Sequence, residues 1–352
     1  VAGYSGDCGG NTDITFTTAA EQTATGTASF TWSTHGWTSR VPLPQDNVVV
    51  DNSFSSERII TADMARLGKS ITFGCSGSPS LSLGSNCIFG SLDLTGVGTI
   101  SVQNAPFACA GRTEGLTLKS AGLTFLKAIS FYAPGGTYTT SDNFICSYPT
   151  YTNFNVCYGT VNLGGTLTLA GTFIVGSRGT SVFNDNGYSV SALTVSLNYG
   201  NSTTVTMTGF WTLLGTGTVW SGGNGANLTL TATDSTIKLT PNSATTVIFI
   251  GSGKTYNNLW FSNATANGQL TIIGQNTFTN IKNDDSEVHQ IKFPTGNTTV
   301  TTMTINGTAG KLITLSNTTG TTHATLVKAG GGVISGCDYI AAVELTGSPD
   351  LT

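Results

Sequence analysis

The densest cluster of reactive side chains in this 352-residue chain is Asp284, Asp285, Glu287 and His289. Two carboxylates on one face, about 5 to 10 Å apart, can cleave a glycosidic bond: one protonates the leaving group while the other assists attack. Neighbours in an extended strand point to opposite faces, so Asp284 and Asp285 separate, whereas Asp285 and Glu287 share a face. If the chain is an enzyme, Asp285 and Glu287 are its catalytic pair and a polysaccharide is its substrate. The competing reading is a solvated turn, conspicuous because only 9% of residues are charged.

Other reactive strings are weaker. Gly251-Ser252-Gly253-Lys254-Thr255 imitates the end of a phosphate-binding loop, but that loop needs glycine where Ile248 stands and a helix immediately afterwards. Tyr256-Asn257-Asn258-Leu259-Trp260-Phe261 instead reads as a turn and a strand. Gly68-Lys69-Ser70 fails in the same way, with Asp63 at the glycine position. There is no GxSxG elbow, and His35 and His323 have no carboxylate near them in sequence. Neither a CxxC pair nor an acidic calcium loop occurs, so no metal and no cofactor is expected. Thr pairs such as Thr204/Thr206, Thr229/Thr231 and Thr302/Thr304 recur at irregular intervals, unlike the regular ladder of an ice-binding face. The N-x-S/T triplets, Asn263 and Asn306 among them, are expected by chance in a chain so rich in Ser and Thr.

Aromatic residues offer a different chemistry. Trp211, Trp220, Tyr256 and Trp260 lie in the central stretch among Asn and Thr. An exposed ring stacks on the apolar face of a sugar while neighbouring amides and hydroxyls bond its hydroxyl groups. These four are the expected contacts to a host surface glycan, with core packing as the competing reading.

The elements that must carry these residues follow from composition and periodicity. The chain holds 45 Gly and 9 Pro, is 38% hydrophobic and has a formal net charge of −4. That leaves enough apolar surface to fold, excludes a collagen repeat, and argues against a basic nucleic-acid surface. No apolar run is long enough for a membrane-spanning helix, so no membrane insertion is expected. Apolar doublets with a period of two run along most of the chain, from Leu81/Leu83 and Leu92/Leu94 to Leu270/Ile272, Met303/Ile305 and Ile313/Leu315. Turn dipeptides such as Asn186-Gly187 and Asn267-Gly268 separate them.

Short, evenly spaced strands predict an all-β fold. A parallel β-helix (β-solenoid) with roughly 20 to 25 residues per rung is favoured, and tandem sandwiches are the alternative. Residues 1–60, with Trp32, Trp37, Pro42 and Pro44, read as a capping or docking segment. Residues 61–340 read as the solenoid, and 341–352 as a tail or the start of a further segment. Val1 in place of Met suggests a processed, trimmed or partial chain. The seven Cys are an odd number, and their spacing fits buried thiols and one or two disulfides equally well.

Several strings carry a resemblance. They are Trp37-Thr-Ser-Arg-Val-Pro-Leu-Pro-Gln-Asp46, Thr61-Ala-Asp-Met-Ala-Arg-Leu-Gly-Lys-Ser70, Ala133-Pro-Gly-Gly-Thr-Tyr138 and Trp211-Thr-Leu-Leu-Gly-Thr-Gly-Thr-Val-Trp220. Ser235-Thr-Ile-Lys-Leu-Thr240, Lys254-Thr-Tyr-Asn-Asn-Leu-Trp-Phe261 and Gly307-Thr-Ala-Gly-Lys-Leu-Ile-Thr-Leu315, leading to Cys337-Asp-Tyr339, complete the set. Together they resemble β-helical virion structural or appendage proteins of tailed bacteriophages and phage-like environmental genomes.

The resemblance implies a non-enzymatic spike, fibre or capsid-surface component located in the virion. The partners then expected are other virion proteins and further copies of itself, with a host surface glycan from the aromatic residues and no nucleic acid from the charge. A tailspike polysaccharide depolymerase is one alternative. A bacterial adhesin or filament subunit, extracellular or at the cell surface, is the other.

Overall fold

The computed structural model describes residues 6–348 except 25, 27, 52–56, 149–151, 198–199, 242, 284–286, 321, 333 and 335. Parallel strands stack as a β-solenoid of about 14 turns. Among the described residues the only helix is the 3-10 turn Gly225–Asn227, and no helix is long and apolar enough to cross a membrane. The all-β, parallel expectation holds, and sandwiches, which need antiparallel strands, are set aside. The chain divides into two compact units, 1–183 and 184–352.

In the first unit, one ladder runs through Glu21–Ala24, Asn47–Val50, Ile71–Phe73, Leu92–Asp93 and Leu116–Lys119. A second runs through Arg66–Gly68, Cys87–Ile88, Phe107–Cys109, Ile129–Thr140 and Thr152–Asn162. Ile71 pairs with Leu92 and Ile129 with Phe154, rungs of 21 and 25 residues within the predicted spacing, while Glu21 pairs with Asn47 over 26 and Phe154 with Phe173 over 19.

Alternation decides what lies inside. In Ser80–Leu83 the two leucines are buried and the two serines half-exposed. Parallel, in-register stacking then sets each buried residue on its counterpart one rung away, about 4.8 Å along. Phe154 and Phe173 are such counterparts, with centroids 5.8 Å apart, and offset rings also meet, Phe131 with Phe154 at 5.0 Å and Phe125 with Phe144 at 4.8 Å.

Strands begin at Glu21, so the segment 1–60 already supplies Glu21–Ala24, Phe30–Thr31 and Asn47–Val50 to the ladders. Its tryptophans close over the interior. Trp32 is fully buried against Leu67, Ile71, Phe73 and Leu81, and Trp37 packs on it at 4.8 Å while donating its Nε1–H to the Trp32 carbonyl. Asp46, fully buried, ties this region together. It accepts from the backbone N–H groups of Ala20 and Leu43, each at 2.8 Å, and pairs with Arg40 at 2.6 Å.

In the second unit one ladder comprises Thr246–Ile250, Gly268–Ile273, His289–Phe293, Ile313–Asn317 and Ile340–Val343. Another comprises Phe210–Leu213, Thr236–Leu239, Thr255–Phe261, Thr277–Asn283 and Gly296–Asn306. The polar centre here is Asp185, with no exposed surface. Its carboxylate accepts from the N–H groups of Thr208 and Gly209 at 2.9 and 3.0 Å and from the Trp211 indole at 2.8 Å.

Removing such a carboxylate strands several buried donors at once. Asp185→Ala is expected to cost about 3 to 5 kcal/mol in urea unfolding, and Asp185→Asn, which keeps an acceptor oxygen, clearly less. A midpoint unchanged by the alanine variant would remove Asp185 from this role.

Candidate functional site

Of the four aromatic residues expected to contact a glycan, three are in the core. Trp211 and Trp220 are fully buried and Tyr256 is 1% exposed, so none offers a ring face to a sugar while the fold stands. Their polar ends are satisfied internally. Trp211 donates to Asp185, Trp220 donates to the Tyr256 hydroxyl at 3.1 Å, and that hydroxyl donates to the Gly251 carbonyl at 2.9 Å. Burial pushes the Tyr256 hydroxyl well above the ordinary phenol range. For Trp211 the signal was available in the sequence: it has the parity of Leu213, whereas Trp260 lies between Leu259 and Phe261 and points outward.

Trp260 is the exception. It is partly exposed, and strand register places it between Lys238 on one rung and Lys282 on the next. The two ammonium groups lie 3.8 and 4.0 Å from the ring centroid, and Phe210, 38% exposed, meets the ring edge-on at 6.4 Å. Each cation over the ring contributes about 0.5 to 1 kcal/mol at such an exposed site. Because the lysines occupy the ring faces, Trp260 is part of a Lys–Trp–Lys ladder rather than an open stacking platform.

The acidic cluster does not assemble into a described catalytic pair. Asp284 and Asp285 lie outside the described residues. Glu287 is engaged by the Lys311 ammonium at 2.6 Å. His289 is a core residue: Asn283 Nδ2 lies 3.1 Å from its Nδ1 and the Thr265 carbonyl 3.3 Å from its Nε2. A neutral ring that accepts at Nδ1 and donates at Nε2 satisfies both contacts.

Gly251–Thr255 is a turn between two strands. Ser252 and Gly253 take φ of 55° and 70°, and the Gly253 N–H is held by buried Asn276 at 2.9 Å. Thr204 and Thr206 stand over Thr229 and Thr231, a Thr array two rungs deep. Among the described residues no group of His, Cys, Asp or Glu could hold a metal ion.

One concave surface was missed by sequence reasoning. It lies on the outer face of the first unit, along the outward column Arg66, Cys87, Ala108, Ser130 and Asn155. Two cavities of about 420 and 470 Å³ share Pro106, Ser130 and Tyr132. The first also contains Asn104, Lys127, Tyr148 and Asn155, with the Lys127 ammonium 3.4 Å from the Tyr148 ring centroid. The second runs to Arg66 and Cys8. These residues lie far apart along the chain, and only the rung repeat aligns them.

All seven cysteines are free thiols. Burial, reinforced by Asp51, pushes Cys75 up to about 11. Burial and the neighbouring Cys8 do the same for Cys87, against the opposing effect of Arg66. Cys109 and Cys146, fully enclosed, are raised further by burial.

No protein-family model, no curated protein and no solved structure matches the chain.

Two measurements follow from these placements. Acrylamide or iodide should quench the fluorescence of Trp260 while Trp32, Trp37, Trp211 and Trp220 stay protected, so Trp260→Phe should abolish the quenchable fraction. A quenchable signal that survives this substitution would contradict the buried positions. Cys75 and Cys87 are raised from an ordinary 9.0, so the folded chain holds their protons more tightly than the unfolded chain. Their contribution to stability is complete below pH 9.0 and falls as pH rises towards about 11. Denaturant midpoints should decline through this window, and the decline should be smaller in a Cys75→Ala/Cys87→Ala variant.

Proposed function

We propose that the chain is a non-enzymatic structural protein of a phage particle, a spike, fibre or capsid-surface component whose outer surface contacts host glycan. The observation that carries this reading is the parallel, in-register stack. Backbone hydrogen bonds link each rung to the next, and apolar columns such as Trp211–Ile237–Leu259–Ile281–Met303 continue through rung after rung. Such a fold makes a durable scaffold from local repeats. A surface rich in Thr, Ser and Asn, with 9% charged residues overall, remains hydrated with few charges. The strings that resemble β-helical virion proteins support the same reading.

Its partners are then other virion proteins and further copies of itself, and its location is the particle. Quantitative mass spectrometry of density-purified particles should recover the chain at a fixed copy number. Immunogold labelling should place it on the head or the tail. Recovery only from the cell-surface or filament fraction would overturn the particle assignment in favour of an adhesin. Incubation with host capsule or lipopolysaccharide should release no reducing ends. Release that Glu287→Ala abolishes would replace the structural reading with a depolymerase.

A further inference from the structure

We propose that the outer groove of the first unit binds a linear acidic saccharide, with Tyr132, Tyr148, Ser130 and Asn155 contacting the sugar rings and Arg66, Lys127 and Arg178 meeting its anionic groups. This rests on the glycan-contact part of the reading above and not on the particle assignment, because the groove belongs to the chain itself.

Three observations define the ligand. The first is charge. Acidic residues outnumber basic ones in the chain, 18 to 14, yet no Asp or Glu lines either cavity among the described residues. Arg66 lies in the second cavity and Lys127 in the first, and the exposed Arg178 packs over the Tyr132 ring at 5.8 Å from its centroid. Among the described residues none of the three is in an ion pair. A local cluster of uncompensated cations in a net-negative chain draws an anion.

The second observation is hydrogen-bonding capacity. Ser130 is 6% exposed and lines both cavities, and its hydroxyl makes no hydrogen bond among the described residues. Asn155 accepts from the Ser177 hydroxyl at 2.8 Å, which leaves its amide N–H groups for the groove. Both groups are therefore open to hydrogen-bond a ligand in the groove.

Shape is the third. The column from Arg66 to Asn155 crosses five successive strands, a length of roughly 19 Å, which suits three or four linked sugar rings rather than a compact anion. Tyr132 and Tyr148 add two aromatic surfaces. Rings beside hydroxyls, amides and unpaired cations match a polyol that carries carboxylates or sulfates. A nucleic acid shares the negative charge but would need bases to stack and a longer basic track.

The test uses the full chain and isothermal titration with three probes: a galacturonate hexasaccharide, a neutral xylohexaose and a single-stranded DNA hexamer. The galacturonate oligomer should bind, and its affinity should fall with added salt. Lys127→Ala and Arg178→Ala should each weaken it about tenfold, corresponding to one charge-assisted hydrogen bond. Both side chains are solvent-accessible, and unchanged circular dichroism and unfolding midpoints will confirm that the variants fold. Lys238→Ala, in the Lys–Trp–Lys ladder of the second unit, should leave binding unchanged. An equal loss in Lys238→Ala would reduce the effect to diffuse charge and overturn the site. Stronger binding of the DNA hexamer would overturn the saccharide assignment in favour of a phosphate polymer. Equal binding of xylohexaose would remove the role of the cations, and no binding by any probe would overturn the proposal.

Discussion

The structure depends on parallel strands hydrogen-bonding in register from one rung to the next. That pairing satisfies the backbone, and it also dictates side-chain contacts, because a residue on one rung faces the residue about two dozen positions later. Like must then tolerate like. Apolar residues fill the interior columns, Ile129, Phe154 and Phe173 in the first unit and Trp220, Phe249 and Ile272 in the second. A charge repeated on such a column would stand about 4.8 Å from its equal with little water to screen it. Several of the polar residues admitted inside satisfy turns. Asp46 and Asp185 each gather backbone N–H groups where the chain leaves one strand for the next, and Asn276 accepts one from Gly253 while donating to the Ile273 and Gly274 carbonyls.

The same register builds the outer surfaces. Outward positions also form columns, so residues remote in sequence become neighbours along the stack. Lys238, Trp260 and Lys282 meet in this way, as do Arg66, Cys87, Ser130 and Asn155. A sparse set of charges thereby becomes locally concentrated. In a chain with 14 basic residues and a net charge of −4, Arg66, Lys127 and Arg178 stand around one groove, and none is in an ion pair among the described residues. The aromatic rings divide by the same rule. Those with inward parity stabilise the core, and those at outward positions, Tyr132, Tyr148 and Trp260, remain partly accessible.

Much of the architecture was legible because it is local. Alternating doublets such as Leu81/Leu83 mark half-buried strands, and their spacing marks the rung. The failure of Gly251–Thr255 as a phosphate loop was legible too, since a strand follows where a helix is required. The placement of the aromatic rings was legible only in part. Trp211, Trp220 and Tyr256 were attractive as large rings among Asn and Thr, and parity places Trp211 inside. For Trp220 parity fails, because a register shift between Thr218 and Trp220 buries both Val219 and Trp220. No doublet rule anticipates a bulge of that kind.

The sequence by itself determined the strand period, the rung length, the turn chemistry and the scarcity of charge, because each is a property of neighbouring residues. Tertiary structure alone decided which side chains share a surface. It put Trp32 over the interior, left Cys109 and Cys146 as enclosed thiols, and joined Arg66, Lys127, Ser130, Tyr132 and Asn155 around one groove. The physical reason is the register of the stack. Rungs of unequal length, 21 residues in one place and 25 in another, align through their backbone hydrogen bonds, and a shift of one position would turn every outward residue of a strand inward.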